Sequence, residues 1–186
     1  MKEFKTERLS CKSISSKLTT KDVKGVYNLM NNVDTVKYST YARLVTIHET
    51  CNFIKELRSK ISENHFIMYN LNNQFIGLCN FTLIKYKDTN MYYTSIGYYI
   101  KPEFTGLGYA TEVAKELINI SFKEYNVYKV IATCDPRNKG SEKVMSKIGL
   151  TFDGWIKADK LLPDGTWRDS LLYSMTRKDW LTSGGV

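Results

Sequence analysis

The sequence predicts an α+β domain, a mostly antiparallel, twisted sheet interrupted by one central β–α–β unit. Three observations carry this. Two apolar runs, "HFIMYNL" and "FIGLCNFTLIKY", flank the polar triplet "NNQ" and read as a hairpin. A long amphipathic stretch, "GYATEVAKELINISFKEY", lies between two further apolar runs, "MYYTSIGYYIK" and "VYKVIATCD". A crossover helix of that length lets its flanking strands lie parallel, with a right-handed connection. Finally, 186 residues with no repeat, low-complexity segment or linker suit one domain with a proper core. Residues 1–181 are read as that domain, and 182–186, "TSGGV", as a disordered tail.

The elements follow in chain order. "TERLSCKSI" is a short first strand. Asp22 to Asn32 is a helix, because Val23, Val26, Tyr27 and Met30 fall on one face. Asp34 to Val45 has turn residues and aromatics without periodicity, and reads as a loop. A second helix runs from about Ile47 to Ser62, with Thr46 as N-cap and Glu49 completing a capping box. The hairpin comes next, then the long strand ending at "IGYYIK". In the crossover helix Ala110, Val113, Ala114, Leu117 and Ser121 share one face, with Lys115, Glu116 and Asn119 largely opposite. "NKGSEKVMSKIG" is a short helix closed by Gly149. Strands near "LTFDGWIK" and "WRDSLLYSMT" flank the turn "LPDGT".

Composition narrows the function classes. The formal net charge is +8, but the lysines are scattered and no aromatic–basic motif for nucleic acid is present, so no direct nucleic-acid binding is expected. Cys11, Cys51, Cys79 and Cys134 form no CxxC pair, and most read as buried free thiols. His48 and His65 have no second ligand at zinc spacing, so no metal is expected. With no 18-residue apolar run and no leader-like start, the chain is expected to be cytoplasmic and off the membrane.

The chemistry points to "KPEFTGLGYATEVAKELI". Gly106 and Gly108 lie where the long strand ends and the crossover helix begins. A helix N-terminus offers unpaired N–H groups and about half a positive charge, and glycines let an anion approach them. A dinucleotide fingerprint fails, since Thr111 stands where the third glycine belongs, and no GxxxxGK[ST] loop is present. For the glycine pair alone, a plain turn is the simpler reading.

The order strand, GxG turn, long helix, strand, "PRNKGS", short helix, "KIGL" resembles the GCN5-related N-acetyltransferase (GNAT) superfamily. Within it, "TERLSCKSI", "IGYYIKPEFTGLGYATEV" and "DGTWRDSLLYSM" are similar to the Rim-type branch, the ribosomal-protein N-terminal acetyltransferases and their relatives. The resemblance runs over nearly the whole chain. It implies a GNAT-like sheet with two splayed strands, and acetyl-CoA as cosubstrate. Tyr98, Tyr99, Ile100, Phe104, Thr105, Gly106, Leu107, Gly108, Tyr109, Ala110 and Asn138 would hold it, the pyrophosphate resting on the N–H groups of Thr105 to Ala110. The N–H of Tyr99 or Ile100 would polarise the thioester carbonyl.

The pattern also departs from the superfamily. Glu103 replaces a Gln or Arg before the turn, and Ser95 stands where relatives often carry a Glu. Met145 replaces a Tyr that protonates the departing thiolate, leaving Ser141 as the candidate acid. Asp135, His65 and Tyr98 are the conceivable bases, each more often structural. At pH 7, neutralising an α-amine of pKa near 8 costs about 1.4 kcal/mol, against about 4.6 kcal/mol for a lysine. A site without a strong base therefore suits a protein N-terminal α-amine or a small-molecule amine of lowered pKa. Tyr38, Tyr41, Arg43 and Trp167 are the candidate acceptor contacts, with Trp155 nearby. Direct attack in a ternary complex is expected, because no Cys has a His partner, although Cys134 lies close to the expected site. The alternative is a non-catalytic acyl-CoA-binding or regulatory module of the same fold. A homodimer is the assembly the relatives suggest.

Overall fold

The computed structural model describes residues 2–185. Eight strands form one sheet in the order β1-β2-β3-β4-β5-β6-β8-β7. They are β1 (Glu3–Lys5), β2 (Leu9–Ser13), β3 (Glu63–Asn70), β4 (Phe75–Lys85), β5 (Tyr92–Ile100), β6 (Lys129–Cys134), β7 (Thr151–Leu161) and β8 (Trp167–Thr176). Every neighbouring pair is antiparallel except β5 and β6. The helix between those two, α4 (Tyr109–Lys123), is the predicted crossover.

Helices cover both faces. On one, α4, α5 (Lys139–Lys147) and α6 (Arg177–Thr182) supply Val113, Leu117, Met145 and Trp180 to a core with Phe66, Phe81, Val130 and Leu171. On the other, α1 (Thr20–Met30) and α3 (Ile47–Ser59) bring Val26, Leu29, Phe53 and Leu57 against Ile67, Phe75 and Leu78. Side chains alternate along a strand, so consecutive β5 residues serve opposite cores. Tyr98 packs with the α4 side and Tyr99 with the α1 side.

Several local readings are present as expected. Thr46 and Glu49 form the capping box of α3, Gly149 closes α5 with φ +85°, and the "NNQ" triplet lies between β3 and β4. Others change. The region read wholly as a loop starts with one helical turn, α2 (Val33–Val36), capped by the Asn32 side chain. Helix α3 stops at Ser59, because residues from Glu63 on are drawn into β3. β1 was not foreseen. Nor was α6, which Thr176 and Asp179 start with a capping box and Trp180 anchors in the core. Residues 182–185, expected to be a disordered tail, close that helix through Ser183 N–H to Asp179 O (3.0 Å) and Gly185 N–H to Trp180 O (2.9 Å). Val186 lies outside the described residues.

Candidate active site

The parallel pair is short. β5 meets β6 only from Tyr93 to Ser95, against Lys129 to Ile131. Beyond that, β5 stays with β4 as far as Ile100 opposite Gly77, while β6 follows β8 as far as Cys134 opposite Leu171. The two strands part like a wedge. Lys101 N–H donates to Ile76 O, on the β4 side. Alternation puts the N–H groups of Tyr99 and Gly97 on that side too, and those of Tyr98 and Ile100 on the side β6 has left. Of the two backbone donors expected at the thioester, Tyr99 is thus committed to Leu78, and Ile100 faces the wedge.

The glycine turn lies at the C-terminal end of β5. Gly106 and Gly108 have φ +77° and +86°, a left-handed conformation that other residues adopt at a cost of about 1–2 kcal/mol. A Cβ on Gly106 would meet nothing within 4 Å, so the space above it is open. Thr105 N–H is spent on Pro102 O (3.1 Å). The first bond of α4 is Glu112 N–H to Gly108 O. Among the described residues, the N–H groups from Gly106 to Thr111 therefore lack protein acceptors, which narrows the expected cradle by Thr105. Phe104 and Tyr109 pack edge to face beneath, their rings 6.4 Å apart.

Arg8 braces this turn, a contact the sequence reading missed. Its Nη1 donates to Leu107 O (3.0 Å), its Nε to Glu112 Oε2 (2.6 Å), and the guanidinium lies 4.8 Å from the Tyr109 ring centre. Burial pushes the Glu112 carboxyl up, but hydrogen bonds from Thr6 and Arg8 outweigh it and hold the group low. Glu103 pairs with Lys101, which also holds its carboxyl low.

On the α5 side, Asn138 caps the helix, its Oδ1 accepting Ser141 N–H (3.0 Å). Ser141 Oγ lies 3.0 Å from the Tyr98 hydroxyl. Burial pushes that phenol up to about 12, so it keeps its proton across the working range. Cys134, at the end of β6, is buried, and burial with Glu142 nearby pushes its thiol up to about 11. A protonated, buried thiol is a poor nucleophile. The candidate bases are each tied up. Asp135 accepts from Arg137 at 2.9 and 2.7 Å, which holds its carboxyl low. His65 pairs with Glu63 (2.7 Å), yet burial keeps its pKa below the ordinary value.

The opposite face of the wedge receives the Tyr38–Tyr41 loop. Ser39 Oγ lies 3.1 Å from Tyr99 OH and accepts Tyr41 N–H at 2.8 Å. The Tyr41 ring stands 5.0 Å from Phe53 and 6.3 Å from Tyr99, and burial, with Glu63 and Glu56 adding, pushes its hydroxyl up to about 12. Of the candidate acceptor residues, Tyr38 and Tyr41 come together here. Arg43 does not, because its Nε donates to Asn31 O (2.7 Å) and ties the loop to α1. Trp167 opens β8 at the hairpin end and is 64% exposed. Among the described residues no group of three or more His, Cys, Asp or Glu is placed to hold a metal ion, and no helix is long and apolar enough to cross a membrane.

A split parallel pair, an open glycine turn and a crossover helix define the GNAT class of acyltransferases. The chain belongs to that family: residues 16–151 match the acetyltransferase (GNAT) domain. It is 29% identical over 161 residues to the uncharacterized N-acetyltransferase YnaD of Bacillus subtilis (strain 168), covering 86% of this chain and 91% of that one. It is 30% identical over 107 residues to the [ribosomal protein uS5]-alanine N-acetyltransferase of Escherichia coli (strain K12), covering 58% and 54%. The crystal structure of a GNAT-family acetyltransferase from Bacillus anthracis superposes with TM-score 0.76 at 28% identity, covering 95% of this chain and 99% of that one. The protein is an N-acetyltransferase of the GNAT family, which uses acetyl-CoA.

Proposed function

We propose that this enzyme transfers acetyl from acetyl-CoA to an α-amine, that of a protein N-terminus or of a small molecule, by direct attack in a ternary complex. The observation that carries the reading is the wedge with free N–H groups on its open edge, beside a turn whose own N–H groups lack acceptors. The N–H groups from Gly106 to Ala110 would hold the pyrophosphate, and those of Tyr98 and Ile100 the pantetheine arm and thioester carbonyl. Acetyl-CoA supplies an activated acyl group. What remains for the chain is to place the amine, to polarise the carbonyl at Ile100 N–H, and to relay the proton given up by the attacking nitrogen through Ser141 Oγ to the departing sulfur, which restores the hydroxyl. The high thiol pKa of Cys134 argues against a covalent acetyl-enzyme.

The occupied state of Asp135 and His65 leaves the site without a strong base. That favours an α-amine, whose free form is about a tenth of the population at pH 7, over a lysine. The uS5-alanine N-acetyltransferase, by its name, acts on an alanine of a ribosomal protein, and its likeness supports the same choice.

Thiol release from acetyl-CoA tests this with three acceptors: a peptide with a free α-amine, the same peptide N-blocked but carrying a lysine, and spermidine. Release with the α-amine alone is expected. Its rate should rise about tenfold per pH unit and level near pH 8 as the amine deprotonates. Release with the lysine peptide or spermidine at comparable rates would contradict the α-amine assignment. Binding of acetyl-CoA without turnover on any acceptor would favour a binding module.

A further inference from the structure

Arg168, near the start of β8, is a buried cation without a counter-ion. Only 8% of it is exposed. Its Nη1 donates to the Tyr38 carbonyl, and its Nη2 reaches only Ser170 Oγ at 3.5 Å, the limit of hydrogen-bonding distance. Its Nε, fully buried, has no partner among the described residues. No carboxylate among them pairs with it either. Asp135 is close enough to feel its charge, but both carboxylate oxygens are occupied by Arg137. Asp169, the next residue, turns to Trp155 Nε1 (2.7 Å) and Ala158 N–H (2.9 Å).

The position of this charge is informative. It lies on β8 three residues before Leu171, which pairs with Cys134 at the end of β6, and it holds the carbonyl of Tyr38 in the loop whose Ser39 Oγ lies 3.1 Å from Tyr99 OH. The guanidinium therefore stands at the mouth of the wedge on the acceptor face. A buried guanidinium pays a large desolvation cost, which native structures offset with a carboxylate or a full set of hydrogen bonds. Here the Nε–Nη2 edge, the planar fork that accepts a carboxylate through two parallel bonds, holds one marginal contact.

We propose that the Nε–Nη2 edge of Arg168 is a carboxylate subsite, so that the acceptor is an amine carrying a carboxylate close to it. Two sources share that chemistry: the α-carboxylate of a free amino acid, and an acidic side chain next to a peptide N-terminus. The inference rests on the acetyltransfer reading above and narrows its substrate class. The same uncompensated charge opposes an ammonium at the wedge, which favours arrival of the acceptor as free amine, as a site without a strong base requires.

The test compares matched acceptors in steady-state thiol release: a peptide with Asp in second position against its Asn counterpart, and a free amino acid against its amide. Rates are expressed per free amine, because a neighbouring carboxylate raises the amine's pKa. Charge-assisted hydrogen bonds of this kind contribute roughly 10- to 100-fold. The wild type should show a kcat/KM at least tenfold higher for the carboxylate member of one pair, and which pair responds identifies the source. Arg168→Gln should erase that ratio, and Arg168→Lys should retain only part of it. A residue that merely props the Tyr38 loop would lower both members of a pair together and leave the ratio intact. That result, or a wild type indifferent to carboxylate against amide, overturns the proposal. The wild-type ratios decide even where the variants fail to fold. Absence of release with every acceptor would overturn the acetyltransfer reading and this proposal with it, an outcome distinct from release without carboxylate preference.

Discussion

Gly106→Val is expected to weaken acetyl-CoA binding about 100-fold while lowering stability only modestly. The backbone at Gly106 sits at φ +77°, so a side chain there carries a strain of about 1–2 kcal/mol. A Cβ would meet no protein atom within 4 Å, so no packing is lost. What it would occupy is the open space over the N–H groups of the turn. Blocking one or two charge-assisted bonds of about 1.5–3 kcal/mol each accounts for the loss of affinity. Gly165 supplies a matched control. It has φ +82° and an equally open Cβ position, but lies in the turn between β7 and β8. Gly165→Val should therefore cost similar stability in thermal unfolding and leave the calorimetric affinity for acetyl-CoA unchanged. Equal losses of affinity in the two variants would show that strain, not ligand contact, is responsible.

Ser141→Ala should lower kcat about 100-fold, at the low end for general acid catalysis, with the KM for acetyl-CoA within about twofold. A thiol of pKa near 8.5 is a fair leaving group, so assistance is worth less here than for an alkoxide. Tyr98 holds Ser141 Oγ at 3.0 Å and keeps its own proton to about pH 12. Tyr98→Phe should lower kcat less, because Ser141 remains as the immediate donor and loses only its oriented partner. No falling limb from Tyr98 is expected below about pH 11 in wild-type pH–rate profiles. An unchanged kcat in Ser141→Ala would leave that hydroxyl only its bond to Tyr98.

Features carried by short-range pattern were legible before any coordinates. The "NNQ" hairpin, the Thr46–Glu49 capping box, the crossover helix and the Gly106–Gly108 turn all depend on residues within a few positions of one another. What escaped depends on long-range partners or on register. Arg8 reaches Leu107, 99 positions away, and Arg168 reaches Tyr38 across 130. Neither residue type nor spacing marks such contacts. Which of Tyr99 and Ile100 presents its N–H to the wedge depends on the parity of pairing with β4, and a one-residue slip would exchange them. Arg43 had the right chemistry and the right loop, yet Asn31 takes its guanidinium. α6 was announced by Thr176 and Asp179, but the apolar run of β8 leads straight into it and masks the change of period.

Amide hydrogen exchange, resolved by residue with and without a slowly hydrolysed acetyl-CoA analogue, tests the wedge most directly. In the free protein, Tyr99 N–H should exchange slowly, being paired with Leu78, while Tyr98, Ile100 and Gly106 to Ala110 exchange fast. Addition of the analogue should slow those seven amides and leave Tyr99 unchanged. Protection elsewhere would contradict the account. The cleft of about 470 Å³ lined by Lys21, Lys24, Phe75 and Lys101 is the place to look for it.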